Sequence, residues 1–138
     1  MKVTHKIEVR FADIDVMGHV NNAVYLSYFE QARMKFFEEL IGKEWDWETN
    51  GILLARNEID YKAPVLLNDQ VNVETSILEM GNKSMTLGYS VVVDRDGKKM
   101  TCTEGKSVLV SFDYHERATK PIPEEWRKKL GYETEKGN

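Results

Sequence analysis

FADIDVMGHVNNAVYLSYFEQARMKFFEELIG, residues 11 to 42, joins a polar loop to a long apolar segment, and its periodicity decides the fold. Tyr25, Phe29, Ala32, Phe36 and Leu40 recur at spacings of three and four, and Gly42 follows as a stop signal. That spacing predicts a helix over 22–41. Val24, Leu26 and Tyr28 carry apolar character round most of the first turns, whereas Glu30, Arg33, Lys35, Glu38 and Glu39 come later. Such a helix is expected to be wrapped by other elements at its N-terminal end. Before the loop, Val3, Ile7, Val9 and Phe11 alternate with Lys2, Thr4, Lys6, Glu8 and Arg10, the pattern of a half-buried strand with His5 out of register.

Beyond the linker KEWDWETNG the pattern changes to period two. Leu53, Ala55, Ile59 and Tyr61 share one parity, and the breaker Ala63-Pro64 and the turn Asn68-Asp69 follow. Next come Val71, Val73 and Ile77, then the turn Gly81-Asn82, then Met85, Leu87, Tyr89, Val91 and Val93. The turn Asp94-Arg95-Asp96-Gly97 leads to Met100, Cys102, Val108, Val110 and Phe112, with Glu104, Gly105 and Lys106 marking an expected bulge. Four strands read in this way predict an antiparallel meander. EEWRKKL, near the C-terminus, reads as a short helix with acids first and bases last. The whole is an α+β fold in a single domain over 1–138, one five-stranded antiparallel sheet curled round one long helix. One helix cannot cover both sheet faces, and Leu78, Val92 and Leu109 are expected on the outer one. A dimer or higher oligomer follows.

Composition limits the function classes. The chain has 138 residues, 41% of them hydrophobic and 30% charged, with a formal net charge of -4. That balance argues against a broad nucleic-acid surface or an anionic membrane partner. Its single cysteine, Cys102, excludes an intramolecular disulfide and sits at an apparent core parity. No signal-peptide pattern opens the sequence and no apolar run approaches membrane-spanning length, so the expected location is the cytoplasm.

The loop carries the candidate chemistry. Asp13 and Asp15 point the same way if the backbone is extended, Gly18 permits conformations that other residues resist, and Asn21 or Asn22 can cap the helix. Amides of a first helical turn lack intrahelical partners, so a helix entrance beside a carboxylate is a site for developing negative charge. Plain turn and capping chemistry would use the same residue types. A metal held by Asp13, Asp15 and His19 would lack the second ligand cluster that such sites recruit, and the expectation is no metal. Walker, dinucleotide-binding, HExxH and GxSxG motifs are absent.

DIDVMGHVNNAVYLSYFEQAR resembles the signature of the 4-hydroxybenzoyl-CoA thioesterase-like branch of the hotdog superfamily, D-x-D-x-x-G-(H/x)-V-x-x-x-x-Y followed by E-x-A-R. The matching positions are Asp13, Asp15, Gly18, His19, Val20, Tyr25, Glu30, Ala32 and Arg33. EIDYKAPVLLNDQV is similar to the family's second strand and its turn, and GNKSMTLGYSVV to the hairpin that follows. The resemblance implies the hotdog fold, paired subunits as a homodimer or a dimer of dimers (a tetramer), and hydrolysis of acyl-CoA with no cofactor, CoA being part of the substrate.

It also implies that Asp15 is the catalytic carboxylate, acting as nucleophile or as general base, and that the Asn22 backbone amide polarises the thioester carbonyl. His19 and Asn21 then position water, carboxylate or carbonyl. Gly18 lets the backbone approach the substrate, and Tyr25 walls the pocket. Asp13 is expected as a structural acceptor, and Ser84 and Thr86 as substrate contacts from a second subunit. Arg56, Lys62, Lys83 and Lys106 are the basic candidates for the CoA phosphates, and Glu30 and Arg33 a candidate helix pair. Two other readings stay open: an acyl-thioester-binding module without turnover, and a thioesterase acting on acyl carrier protein. The latter calls for a basic rim that an acidic chain does not plainly offer.

Overall fold

The computed structural model describes residues 1–44 and 46–134; Trp45, within the expected linker, lies outside the described residues. Strand β1 (Lys2–Ile7) leads through a short 3-10 turn (Phe11–Asp13) and a loop to helix α1 (Val24–Leu40). Then follow β2 (Gly51–Tyr61), β3 (Gln70–Met80), β4 (Ser84–Arg95), β5 (Lys98–Asp113), the two-residue β6 (Ala118–Thr119) and helix α2 (Glu124–Lys129). Among the described residues the sheet has six strands in the order β1-β3-β4-β5-β2, with β6 paired to the end of β5, and the pairings are antiparallel.

Several expectations change. The first strand stops at Ile7, because residues 10–13 tighten into the 3-10 turn and leave Phe11 84% exposed. The four strands after the helix are not a simple meander: β3, β4 and β5 are, but β2 lies across the sheet beside β5. Alternation sets which face a strand buries, not which strand it pairs with. A register shift between Leu54 and Arg56 changes the parity of β2, so Ile59 and Tyr61 do not continue the phase of Leu53. The bulge expected at Glu104–Lys106 falls instead at Cys102, where Val91 pairs with Thr103 and Val92 with Thr101. From there Thr103, Gly105, Ser107 and Leu109 turn inward, so Leu109 is core and not outer face.

The core lies between the concave sheet face and α1. Tyr25, Tyr28, Phe29, Ala32, Phe36 and Phe37 of the helix are buried against Val71, Val73, Leu87, Tyr89, Val91 and Leu109. At about 25 cal/mol per Å² of apolar surface removed from water, such side chains carry most of the fold's stability. Phe29 stacks on Tyr89 with ring centroids 4.4 Å apart. Gly105 permits that approach, since a Cβ there would lie 2.4 Å from the Phe29 ring. Trp126 of α2 packs on Phe37 and Trp47 and closes the far end of the core. The helix is not wrapped all round at its start, because Leu26 is 41% exposed.

Candidate active site

Asp13, which ends the 3-10 turn, and Asp15, in the loop that leads to α1, have different partners. Asp13, only 2% exposed, turns into the protein. Its carboxylate accepts the Arg10 amide at 2.9 Å, Arg10 Nη2 at 2.9 Å and the buried Tyr28 hydroxyl at 2.9 Å. Burial alone would push the Asp13 carboxyl up, but the Arg10 amide and guanidinium and the Tyr28 hydroxyl together hold it below the usual range. The same contact, with burial the larger cause, pushes the Tyr28 phenol up. Asp13 thus ties the loop to the helix.

Asp15 has other neighbours and lines a cavity to which Asp13 does not contribute. Asp15 N donates to His19 O at 2.9 Å and Gly18 N to Asp15 O at 3.0 Å, closing a tight five-residue loop with Gly18 at φ +78°. No atom lies within 4 Å of a Cβ added at Gly18, so the glycine serves backbone conformation and not clearance. Asp15 Oδ1 accepts the amides of Met17 at 2.9 Å and His19 at 3.4 Å. Its other oxygen accepts no hydrogen bond among the described residues.

The helix begins at Val24, two residues later than its apolar spacing predicts. Asn21 Oδ1 accepts the Ala23 amide at 3.0 Å and Asn21 O accepts the Val24 amide at 2.9 Å, so a turn built on Asn21 precedes the first helical residue. The Asn22 amide lies in that turn and meets no acceptor among the described residues. Its carbonyl is held from outside the turn, by the Tyr61 hydroxyl at 2.9 Å.

Asp15, His19, Asn22 and Tyr25 line one cavity of about 250 Å³, together with Met17, Val20, Tyr61, Lys62, Ala63 and Pro64. Tyr25 is buried and meets Tyr61 edge to face, 5.3 Å between ring centroids. The wall from Lys62 to Pro64 is braced from behind. Arg95 binds Asp69 through two nitrogens at 2.8 and 2.6 Å and donates to Pro64 O at 2.7 Å, while Val20 N donates to Val65 O at 2.8 Å. The Arg95 guanidinium and the Leu66 amide hold the Asp69 carboxyl below its ordinary range despite burial.

Other candidates fall elsewhere. Asn21 is exposed and acts within the turn, and Gly18 shapes the loop without lining the cavity. Ser84 and Thr86 take the parity opposite to inward Met85 and Leu87, so they lie on the outer sheet face and do not reach Asp15 in one chain. Of the four basic candidates only Lys62 lines the cavity, and it pairs with Glu104 at 2.9 Å. Arg56 pairs with Glu58, and Lys106 borders a groove on the outer face. Lys83 is exposed beside the hairpin turn. Arg33 donates to the Tyr89 hydroxyl at 3.1 Å and makes no ion pair with Glu30 among the described residues. Cys102 is buried in the core, where burial pushes its thiol up. The described residues contain no group of three or more His, Cys, Asp or Glu placed to hold a metal. Tyr61 had no chemical signal in the sequence beyond standing at the end of an alternating strand, next to a proline break.

Several known proteins similar to this chain are named thioesterases. The chain is 27% identical over 126 residues to the long-chain acyl-CoA thioesterase FadM of Escherichia coli, covering 91% of this chain and 94% of the relative. The uncharacterised protein YsmA of Bacillus subtilis is 29% identical over 85 residues, 62% of this chain and 57% of that protein's length. A Thermus thermophilus thioesterase solved with coenzyme A and zinc is 34% identical, with 92% of this chain and 90% of that one covered at a TM-score of 0.77. The family model of the Thioesterase-like superfamily matches residues 9–130, and so the chain, a long helix held by a curved antiparallel sheet with the loop 14–23 leading into the helix, belongs to that superfamily and has the hotdog fold.

Proposed function

We propose that this thioester hydrolase cleaves acyl-CoA to a free carboxylic acid and CoA at the cavity around Asp15. One observation carries the reading: a carboxylate with one oxygen fixed by loop amides and the other unengaged lines the same cavity as Asn22, whose amide is unengaged among the described residues. In the proposed step the carbonyl oxygen of the thioester receives the Asn22 N–H. Water adds to the acyl carbon and gives its proton to Asp15, or Asp15 adds first and the resulting anhydride is hydrolysed. Either way the C–S bond breaks and the sulfur leaves as thiolate, which takes up a proton to give CoA. A thiol pKa near 8.5 makes that departure easy, so neither metal nor histidine is needed as acid. His19, which lines the same cavity, is the residue proposed to orient water. The names of FadM and of the Thermus thermophilus complex support CoA thioesters as the substrate class.

We further propose a homodimer, alone or paired into a tetramer. Leu26, Met34 and Leu54 are exposed along α1 and the edge strand β2, where a second copy can cover them. Incubating the protein with short, long and aromatic acyl-CoAs tests the function. The expected result is release of free thiol and acid in equal amounts from at least one. Binding without thiol release from any would reduce the protein to an acyl-thioester-binding module.

Lys62, at the cavity rim, is the residue proposed to meet the CoA phosphates. Lys62→Gln is expected to raise KM for acyl-CoA about threefold to tenfold with kcat nearly unchanged. A truncated thioester that lacks the nucleotide should show no such effect. An equal rise in KM for both substrates would remove Lys62 from phosphate recognition.

A further inference from the structure

Tyr61 is the last residue of β2 and 47% exposed, yet among the described residues its hydroxyl makes the one hydrogen bond that joins the turn at Asn22 to the sheet. The other bonds that shape residues 21–24 stay on the loop side: Asn21 N to Asp13 O at 2.9 Å, Ala23 N to Asn21 Oδ1, and Val24 N to Asn21 O. Asn22 sits between two peptide groups. The first, whose carbonyl is Asn21 O, includes the Asn22 N–H; Val24 fixes its carbonyl end and so the direction in which the N–H points. The second includes the Asn22 carbonyl, and Tyr61 anchors it from a residue 39 positions away. Without Tyr61, Asp13 would still hold the turn at Asn21, but no hydrogen bond among the described residues would hold residues 22–24 against the end of β2 and the segment 62–64 that follows it and lines the same cavity.

We propose that Tyr61 is a positioning residue for thioester hydrolysis: through the Asn22 carbonyl it holds the Asn22 amide in register with Asp15 and the cavity wall. This rests on the reading of the Asn22 amide as the oxyanion donor. Hydrogen-bond donors contribute to a developing oxyanion only when preorganised, and a displacement of about 1 Å at a reacting centre can cost roughly 100-fold in rate. The phenol ring has a separate task, packing edge-on to Tyr25. Removing the hydroxyl alone therefore separates positioning from packing.

Tyr61→Phe is the test, read in two ways. With the best acyl-CoA substrate, kcat is expected to fall about tenfold or more while KM changes less than about twofold, because the substrate-binding walls remain. In the substrate-free protein, amide hydrogen exchange across residues 22–24 is expected to quicken several-fold, with exchange in the strands of the core unchanged. A wild-type kcat, or unchanged exchange at 22–24, would overturn the assignment. The outcomes separate from failure of the functional reading: a variant with Asp15 replaced that is dead beside an active Tyr61→Phe protein sinks only the role of Tyr61. Full activity without Asp15 sinks the reading beneath it.

Discussion

Asp13→Ala is expected to unfold at a markedly lower temperature than the parent protein. The carboxylate is buried and accepts bonds from the Arg10 backbone and side chain and from Tyr28. Alanine leaves the buried Tyr28 hydroxyl without that acceptor and frees the 3-10 turn. An orphaned buried polar group costs about 1–3 kcal/mol, and with the charge-assisted bonds to Arg10 also lost the expected total is about 3 kcal/mol. For a domain of this length that corresponds to a fall in Tm of roughly 10 °C, measured by calorimetry or circular dichroism. The difference between the two proteins should depend on pH. The Asp13 carboxyl titrates lower in the folded protein than in the unfolded chain, so the unfolded state binds more protons across the interval between the two values and stability rises with pH there. The wild-type advantage is therefore full above the unfolded carboxyl value of about 3.9 and is lost as the pH drops through the folded value. A Tm equal to that of the parent at neutral pH would show that Asp13 does not tie the loop to the helix.

Much of the architecture is written in periodicity, and the exceptions have identifiable causes. The long helix, the alternating strands and the closing helix with Trp126 follow from spacing, because each buries one stripe or one face. Strand order does not: the position of β2 beside β5 depends on a crossing that the residues Lys62 to Asp69 make without any period of their own. The phases of β2 and β5 were obscured by bulges near Ala55 and at Cys102, since one extra residue moves every later side chain to the other face. Glu104-Gly105-Lys106 looked like a bulge, but the glycine is there for the Phe29 ring.

The candidate site divides in the same way. Asp15, His19, Asn22 and Tyr25 are close in sequence, and local turn chemistry brings them to one cavity. Tyr61 and Lys62 arrive at it through strand pairing across the sheet, which sequence spacing does not encode. Ser84 and Thr86 sit on the outer face of the sheet, away from this cavity.

Asp15→Asn carries the largest expected effect on activity. Asparagine keeps an oxygen to accept the Met17 amide, so the loop and the fold are expected to survive, with Tm within about 2 °C of the parent. What disappears is the negative charge that takes a proton from water or attacks the acyl carbon. General-base catalysis by a positioned side chain is worth roughly 10²–10⁴ in rate, and a nucleophile can be worth more. A loss of about 10³-fold or greater in kcat is expected, with the affinity for acyl-CoA retained.

Thiol release from the best acyl-CoA in the panel, followed in parallel for the wild-type and Asp15→Asn proteins at matched concentration and pH, tests the central claim most directly. The expected result is steady CoA release by the wild type and none above the uncatalysed rate by the variant, which still binds the substrate. Equal rates from the two proteins would contradict the assignment of the Asp15 cavity as the place where the thioester is cleaved.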